Sequence, residues 1–107
     1  VGLMVRTADI PMSKEIKNKT QETSIDFSIL KDIKKDDYIY IGTGRCHTEL
    51  IVPEDMTIEN FIKWLVLNYN ANYYSCVAAS LGNNSTSIKL TGKGNESFEI
   101  ELDYHKN

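Results

Sequence analysis

The run Thr48-Glu49-Leu50-Ile51-Val52-Pro53-Glu54-Asp55-Met56-Thr57-Ile58-Glu59-Asn60-Phe61-Ile62-Lys63-Trp64-Leu65 constrains the fold more than any other part of the chain, because it sets a strand, a capped turn and an amphipathic helix in immediate succession. Just upstream, residues 37–41 alternate polar and apolar and lead into Gly42-Thr43-Gly44, whose glycines permit the positive φ of a tight reversal. Tyr38–Ile41 and Cys46–Val52 are therefore expected to pair as a β-hairpin. Pro53 ends the second strand. Thr57 has the hydroxyl of a helix cap, Glu59 falls in the first turn where the helix dipole favours an acid, and Met56 and Phe61 take the positions of a hydrophobic staple. Ile58, Phe61, Ile62, Leu65 and Tyr69 recur at helical spacing as a buried face, which predicts one main helix over about 57–70, ending near Asn70–Asn72.

Elsewhere the periodicity is less decisive. Leu3-Met4-Val5 is an edge strand or an ordered tail, ended by Pro11. Ser13–Glu22 is charged and polar with only Ile16 apolar, which suits an exposed loop or a frayed helical turn. Ile25, Phe27 and Ile29 alternate as a strand does, while Ile25, Ile29, Leu30 and Ile33 fit a helical stripe behind a Ser24 cap, so both remain open. Cys76–Ala79 suits a short central strand. Thr86, Ile88 and Leu90, a turn at Gly92–Asn95, and Phe98, Ile100, Leu102 and Tyr104 alternating with Glu99, Glu101 and Asp103 predict a second hairpin with one wet face.

At 107 residues, 41% of them apolar and 25% charged, the chain fits a single domain, 1–107, that buries one modest core. Residues 1–36 form a leader of unsettled structure before a core at 37–104. No apolar run approaches the roughly 20 residues needed to span a bilayer, and Val1–Val5 is too short for a signal peptide's apolar region, so no membrane partner is expected. The net charge of −3 is uneven, with +1 over residues 1–36 and −4 over 37–107. The only candidate basic clusters, Lys14, Lys17 and Lys19, then Lys31, Lys34 and Lys35, are interleaved with acids, so nucleic acid is not the expected partner either.

Cys46 and Cys76 lack the paired spacing of a structural zinc site. Free buried thiols in a reducing compartment are the preferred reading, ahead of a disulfide between two strands. Asn18-Lys19-Thr20, Asn83-Asn84-Ser85, Asn84-Ser85-Thr86 and Asn95-Glu96-Ser97 match the glycosylation acceptor pattern. In a chain rich in Asn, Ser and Thr they are read as chance matches in polar loops.

Val52–Asn60 resembles ubiquitin at the junction of its second strand and its helix, through Thr57-Ile58-Glu59-Asn60, the valine five positions before Thr57, and the inward alternation of Leu50. The resemblance spans Tyr38 to about Tyr69. It implies an α+β, β-grasp-like domain, a mixed sheet of four to five strands crossed by one helix, as in ubiquitin-like modifiers, Ras-binding domains and noncovalent adaptors. The chain departs from the modifiers in ending Leu102-Asp103-Tyr104-His105-Lys106-Asn107 without their terminal glycine, so conjugation is not expected. Ras-binding relatives offer a basic edge, for which only Arg45 and His47 are at hand.

No catalytic constellation emerges. His47 and His105 stand apart from any triad or metal spacing, and Cys46 beside His47 on a strand points to the opposite face. Asp36-Asp37 reads as solvent-facing, and Gly42-Thr43-Gly44 lacks the lysine and helix of a phosphate loop. Neither enzyme activity, nor a cofactor, nor a metal is expected. Stepping 100° per residue puts Leu67 opposite the buried helix face and Trp64 on its flank, so that these two, extended by Tyr73, are the candidate protein-binding residues, unless the leader folds over them. The expected function is a noncovalent protein-binding module in the cytoplasm. The alternative is a secreted or viral effector that inhibits an enzyme by covering its surface, and a Cys46–Cys76 disulfide would favour it.

Overall fold

The computed structural model describes residues 4–6, 9–72, 76–93 and 97–107, the first three by their backbone alone. Its elements run β1 (Met4–Arg6), β2 (Met12–Lys17), β3 (Thr20–Asp26), β4 (Tyr38–Gly42), β5 (His47–Ile51), α1 (Ile58–Asn70), β6 (Val77–Leu81), β7 (Ser87–Gly92) and β8 (Glu101–His105). The chain is α+β, as expected, but its strands form two four-stranded sheets instead of one mixed sheet. The first has the order β1-β8-β4-β5, the second β2-β3-β7-β6. Every pair of named strands is antiparallel. A β-grasp topology is thus not confirmed.

Much of the difference comes from the first 36 residues, which supply three strands. Ser13–Glu22 is neither loop nor helical turn: β2 and β3 pair from Met12↔Ile25 to Lys17↔Thr20. Asn18 and Lys19 reverse the chain at φ 49° and 66°, the left-handed pair that matches the twist of a two-residue hairpin. The charge of β2 is compatible with a strand because β2 lies at an edge, with Ser13 to Lys17 exposed. In β3 the period of two prevails: Gln21, Thr23 and Ile25 are buried with half-buried neighbours, and Phe27 continues the inward row while Ile29 is exposed.

The central hairpin and helix form where the sequence indicates, but of the two glycines only Gly44 takes a positive φ, 89°, while Gly42 closes β4 opposite His47. β4 and β5 pair from Tyr38↔Ile51 to Gly42↔His47, and the Thr57 hydroxyl accepts the Asn60 N–H at 3.2 Å. Two expectations downstream are corrected. β7 and β8 do not pair with each other: β7 lies between β3 and β6 in the second sheet, β8 between β1 and β4 in the first. Their one-sided alternation specifies a half-buried strand without choosing its neighbour. Gln21 guides the connection, its side chain giving an amide N–H to Phe98 O and accepting the Phe98 N–H, both at 2.9 Å. Nor is β6 central. It is an edge strand, and Asn70 at the end of α1 covers it, donating to Ala79 O and accepting from Ala79 N at 2.8 Å each.

One apolar cluster joins the layers. The first sheet contributes Ile39, Ile41, Leu102 and Tyr104, the second Ile25, Ile88, Leu90 and Val77, and the helix Phe61, Ile62, Leu65 and Tyr69. The Phe61 ring meets Phe27 and Tyr104 edge-on, each at 6.0 Å between centroids. The leader belongs to this core through Ile10, Ile25, Phe27, Leu30 and Ile33. Cys46 and Cys76 are joined in a disulfide with Cα atoms 5.8 Å apart, contrary to the free-thiol reading, and the bond ties the β4–β5 turn to the start of β6. The residues are far apart in sequence and only the packing of the sheets brings them together.

Candidate interaction surfaces

Of the three residues singled out for binding, two can be located. The side chain of Leu67 is 71% exposed, opposite the buried stripe of α1. Trp64 is half-buried on the flank, its ring tilted against Phe61 at 5.8 Å between centroids. Helical geometry accounts for both. The helix buries Phe61, Ile62, Leu65 and Tyr69, and a residue half a turn away from that stripe faces solvent. Tyr73 lies outside the described residues, so no patch joining it to Trp64 and Leu67 is described.

A second surface was not anticipated. On the outer face of the first sheet the strand registers set Ile51, Tyr38 and His105 in one row and Glu49, Tyr40 and Asp103 in the next. Their partners on the inner face, Ile39, Ile41, Leu102 and Tyr104, are the core residues. Tyr38 meets His105 edge-on at 5.3 Å, and Tyr40 stacks on His47 at 5.8 Å. The Tyr40 ring also leans over Gly42: a Cβ there would stand 2.8 Å from the tyrosine hydroxyl, so glycine is needed for the ring to lie flat. Burial first, then the hydrogen bond to and charge of Glu49, hold the Tyr38 phenol protonated above its ordinary range. The alternation Tyr38-Ile39-Tyr40-Ile41 carried this signal, but only the sheet register shows which residues of β5 and β8 lie beside the tyrosines.

Asp37 is the main buried ionisable group, and it is not solvent-facing as Asp36-Asp37 suggested. Its carboxylate accepts the Tyr104 hydroxyl at 2.6 Å, the Asn107 N–H at 2.8 Å and the Lys34 N–H at 3.0 Å, with the Lys106 ammonium 3.7 Å away. Burial pushes this carboxyl up; the three hydrogen bonds and the ammonium outweigh it, and the net shift is down. Tyr104 moves up, through burial and then its bond to Asp37. Lys106 also donates to the carbonyls of Lys31 and Asp32. The arrangement fastens the last strand to the loop before β4, and all the carboxylate's neighbours are donors already used in that task. It is a structural knot, with no reacting group placed against it.

Beside the disulfide a cleft of 260 Å³ is lined by Thr43, Arg45, Cys76, Lys93, Phe98 and Glu99, of mixed charge. Of the asparagines in acceptor-pattern tripeptides, read as chance matches, Asn18, Asn83 and Asn84 are exposed, and Asn95 lies outside the described residues. Among the described residues no group of three or more His, Cys, Asp or Glu is placed to hold a metal ion, and no helix is long and apolar enough to cross a membrane. The basic residues are partly neutralised where they stand: Lys17 pairs with Glu15 and Glu22, Lys34 with Asp55, and Lys89 with Glu22. No protein-family model matches the chain, and neither the curated proteins nor the solved structures yield a match.

Proposed function

We propose that this chain is a noncovalent protein-binding domain. The observation that carries the reading is Leu67, a large apolar side chain left 71% exposed near the end of α1, with the indole of Trp64 one turn before it on the same element. An exposed aliphatic anchor next to a partly ordered aromatic offers a partner contact area at small entropic cost. The ubiquitin-like resemblance supports a local strand, turn and helix; the proposal does not depend on a β-grasp sheet or on any activity of that superfamily. The test is capture of partners from native extract by the wild-type domain and by a Trp64→Ala, Leu67→Asp variant that keeps its fold. A partner held by the wild type and lost by the variant supports the helix face. One retained by both removes it.

A second reading concerns the compartment. The Cys46–Cys76 disulfide favours an oxidising environment over the cytoplasm, and with it the alternative of an effector that acts by covering a target enzyme. Thiol titration of protein recovered under alkylating conditions from its native source tests this: two free thiols in the folded protein return the domain to a reducing compartment.

A further inference from the structure

Each sheet has two edges, and three of the four are short or blunted. β6 is closed by the Asn70 side chain, β2 carries Lys14, Glu15 and Lys17, and β1 is three residues long. β5 differs. The ladder with β4 continues at both ends through Thr43 N–H to Cys46 O and Val52 N–H to Asp37 O, each 2.8 Å, so the even-numbered residues of β5 bond to β4. The N–H and C=O groups of His47, Glu49 and Ile51 therefore face outward, without a backbone partner among the described residues. Neither proline nor lysine falls within the strand. Its outward residues carry exposed side chains, and the adjoining rows present Tyr38 and Tyr40.

Charge selects the occupant. Glu49 is central on this edge, and Glu101 and Asp103 share the outer face. A second copy paired over the whole of β5 would set Glu49 against Glu49, a like-charge pair directly across a ladder. We infer that the β5 edge accepts an extended segment of another protein as an added strand, with Lys or Arg opposite Glu49 and an apolar residue opposite Ile51 beside Tyr38. Main-chain bonds to His47, Glu49 and Ile51 supply affinity, and the alternate side chains supply selectivity. This names a partner chemistry for the protein-binding reading and rests on it, but uses a surface other than the helix face.

The probe is an end-blocked heptapeptide of alternating Val and Thr with a central Lys, titrated into isotopically labelled domain, with amide shifts and hydrogen exchange read residue by residue. The expected result is saturable shifts and slowed exchange at the His47, Glu49 and Ile51 amides with none at Ala79, retained in the Trp64→Ala, Leu67→Asp variant. Glu49→Lys weakens the peptide roughly tenfold, and a peptide with central Glu recovers the affinity for that variant. No response at these amides at millimolar peptide overturns the inference, as do equal affinities for wild type and Glu49→Lys, or self-association of the domain through β5. Loss of the helix-face reading alone leaves the peptide result unchanged, so the two failures are distinguishable.

Discussion

Removing the disulfide by Cys46→Ser with Cys76→Ser has a magnitude that follows from its place in the chain. The bond spans 30 residues, including β5 and all of α1. The chain-entropy relation for a loop of that length gives about 3.6 kcal/mol of stabilisation at 25 °C, through restriction of the unfolded chain. Cys76 is exposed and Cys46 half-buried, so the serines themselves add roughly 0.5 kcal/mol or less. With an unfolding entropy of about 2.1 cal/mol/K per residue, the variant should melt ~16 °C below the oxidised protein while staying folded at 25 °C. Calorimetry on the oxidised protein, the reduced protein and the double variant checks this, with urea unfolding as a second measure. The last two should coincide, and their m-values should exceed that of the oxidised protein because the released loop exposes more surface. A loss below about 1 kcal/mol would refute the loop-closure argument.

The remaining predictions concern the knot, the edges and the helix face. Asp37→Ala leaves the Tyr104 hydroxyl and the Asn107 and Lys34 N–H groups without their acceptor and takes the counter-charge from Lys106, and should cost about 3 kcal/mol by chemical denaturation; a loss within 0.5 kcal/mol would show the knot to be dispensable. Because the Asp37 carboxyl is lowered from 3.8, its contribution is full above the ordinary carboxylate range and lost as pH falls through and below it. Tyr104 is raised from 10.0, so its contribution holds below that value and is lost as pH climbs above it. Stability against pH should fall on both sides, and Asp37→Asn should flatten the acid limb. Asn70→Ala uncovers Ala79 on the β6 edge, and should cost about 1–2 kcal/mol and raise the aggregation rate seen by light scattering. Leu67→Asp should shift stability by no more than about 0.5 kcal/mol, whereas Trp64→Ala, which strips the indole from Phe61, should cost about 2 kcal/mol; an equal cost at both would mean that Leu67 is not free of the core.

The parts legible in the sequence are those governed by neighbouring residues. Gly42-Thr43-Gly44 and the alternation around it were enough for the β4–β5 hairpin, and Thr57 with the spacing of Phe61, Ile62, Leu65 and Tyr69 for the capped helix and its buried face. Leu67 could be placed opposite that face by the same rule. Asp37, by contrast, looked like one of two adjacent surface acids. Its donors are Lys34, Tyr104 and Asn107 and its counter-charge is Lys106, and three of these four lie about seventy residues away.

Sequence by itself determined the β4–β5 hairpin, the capped helix and the apolar side of the strands after it, because backbone dihedrals, caps and hydrophobic period act within a few residues, but it did not show the polar β2 or choose strand over helix for β3. Tertiary structure alone decided the partners. It sent β7 and β8 to different sheets, placed β6 at an edge under Asn70, built the leader into the core, joined Cys46 to Cys76 and set β5 at the edge of the first sheet. A strand's pattern specifies a half-buried surface equally well against several neighbours, and the choice among them rests on packing the whole chain around one core with its buried polar groups satisfied.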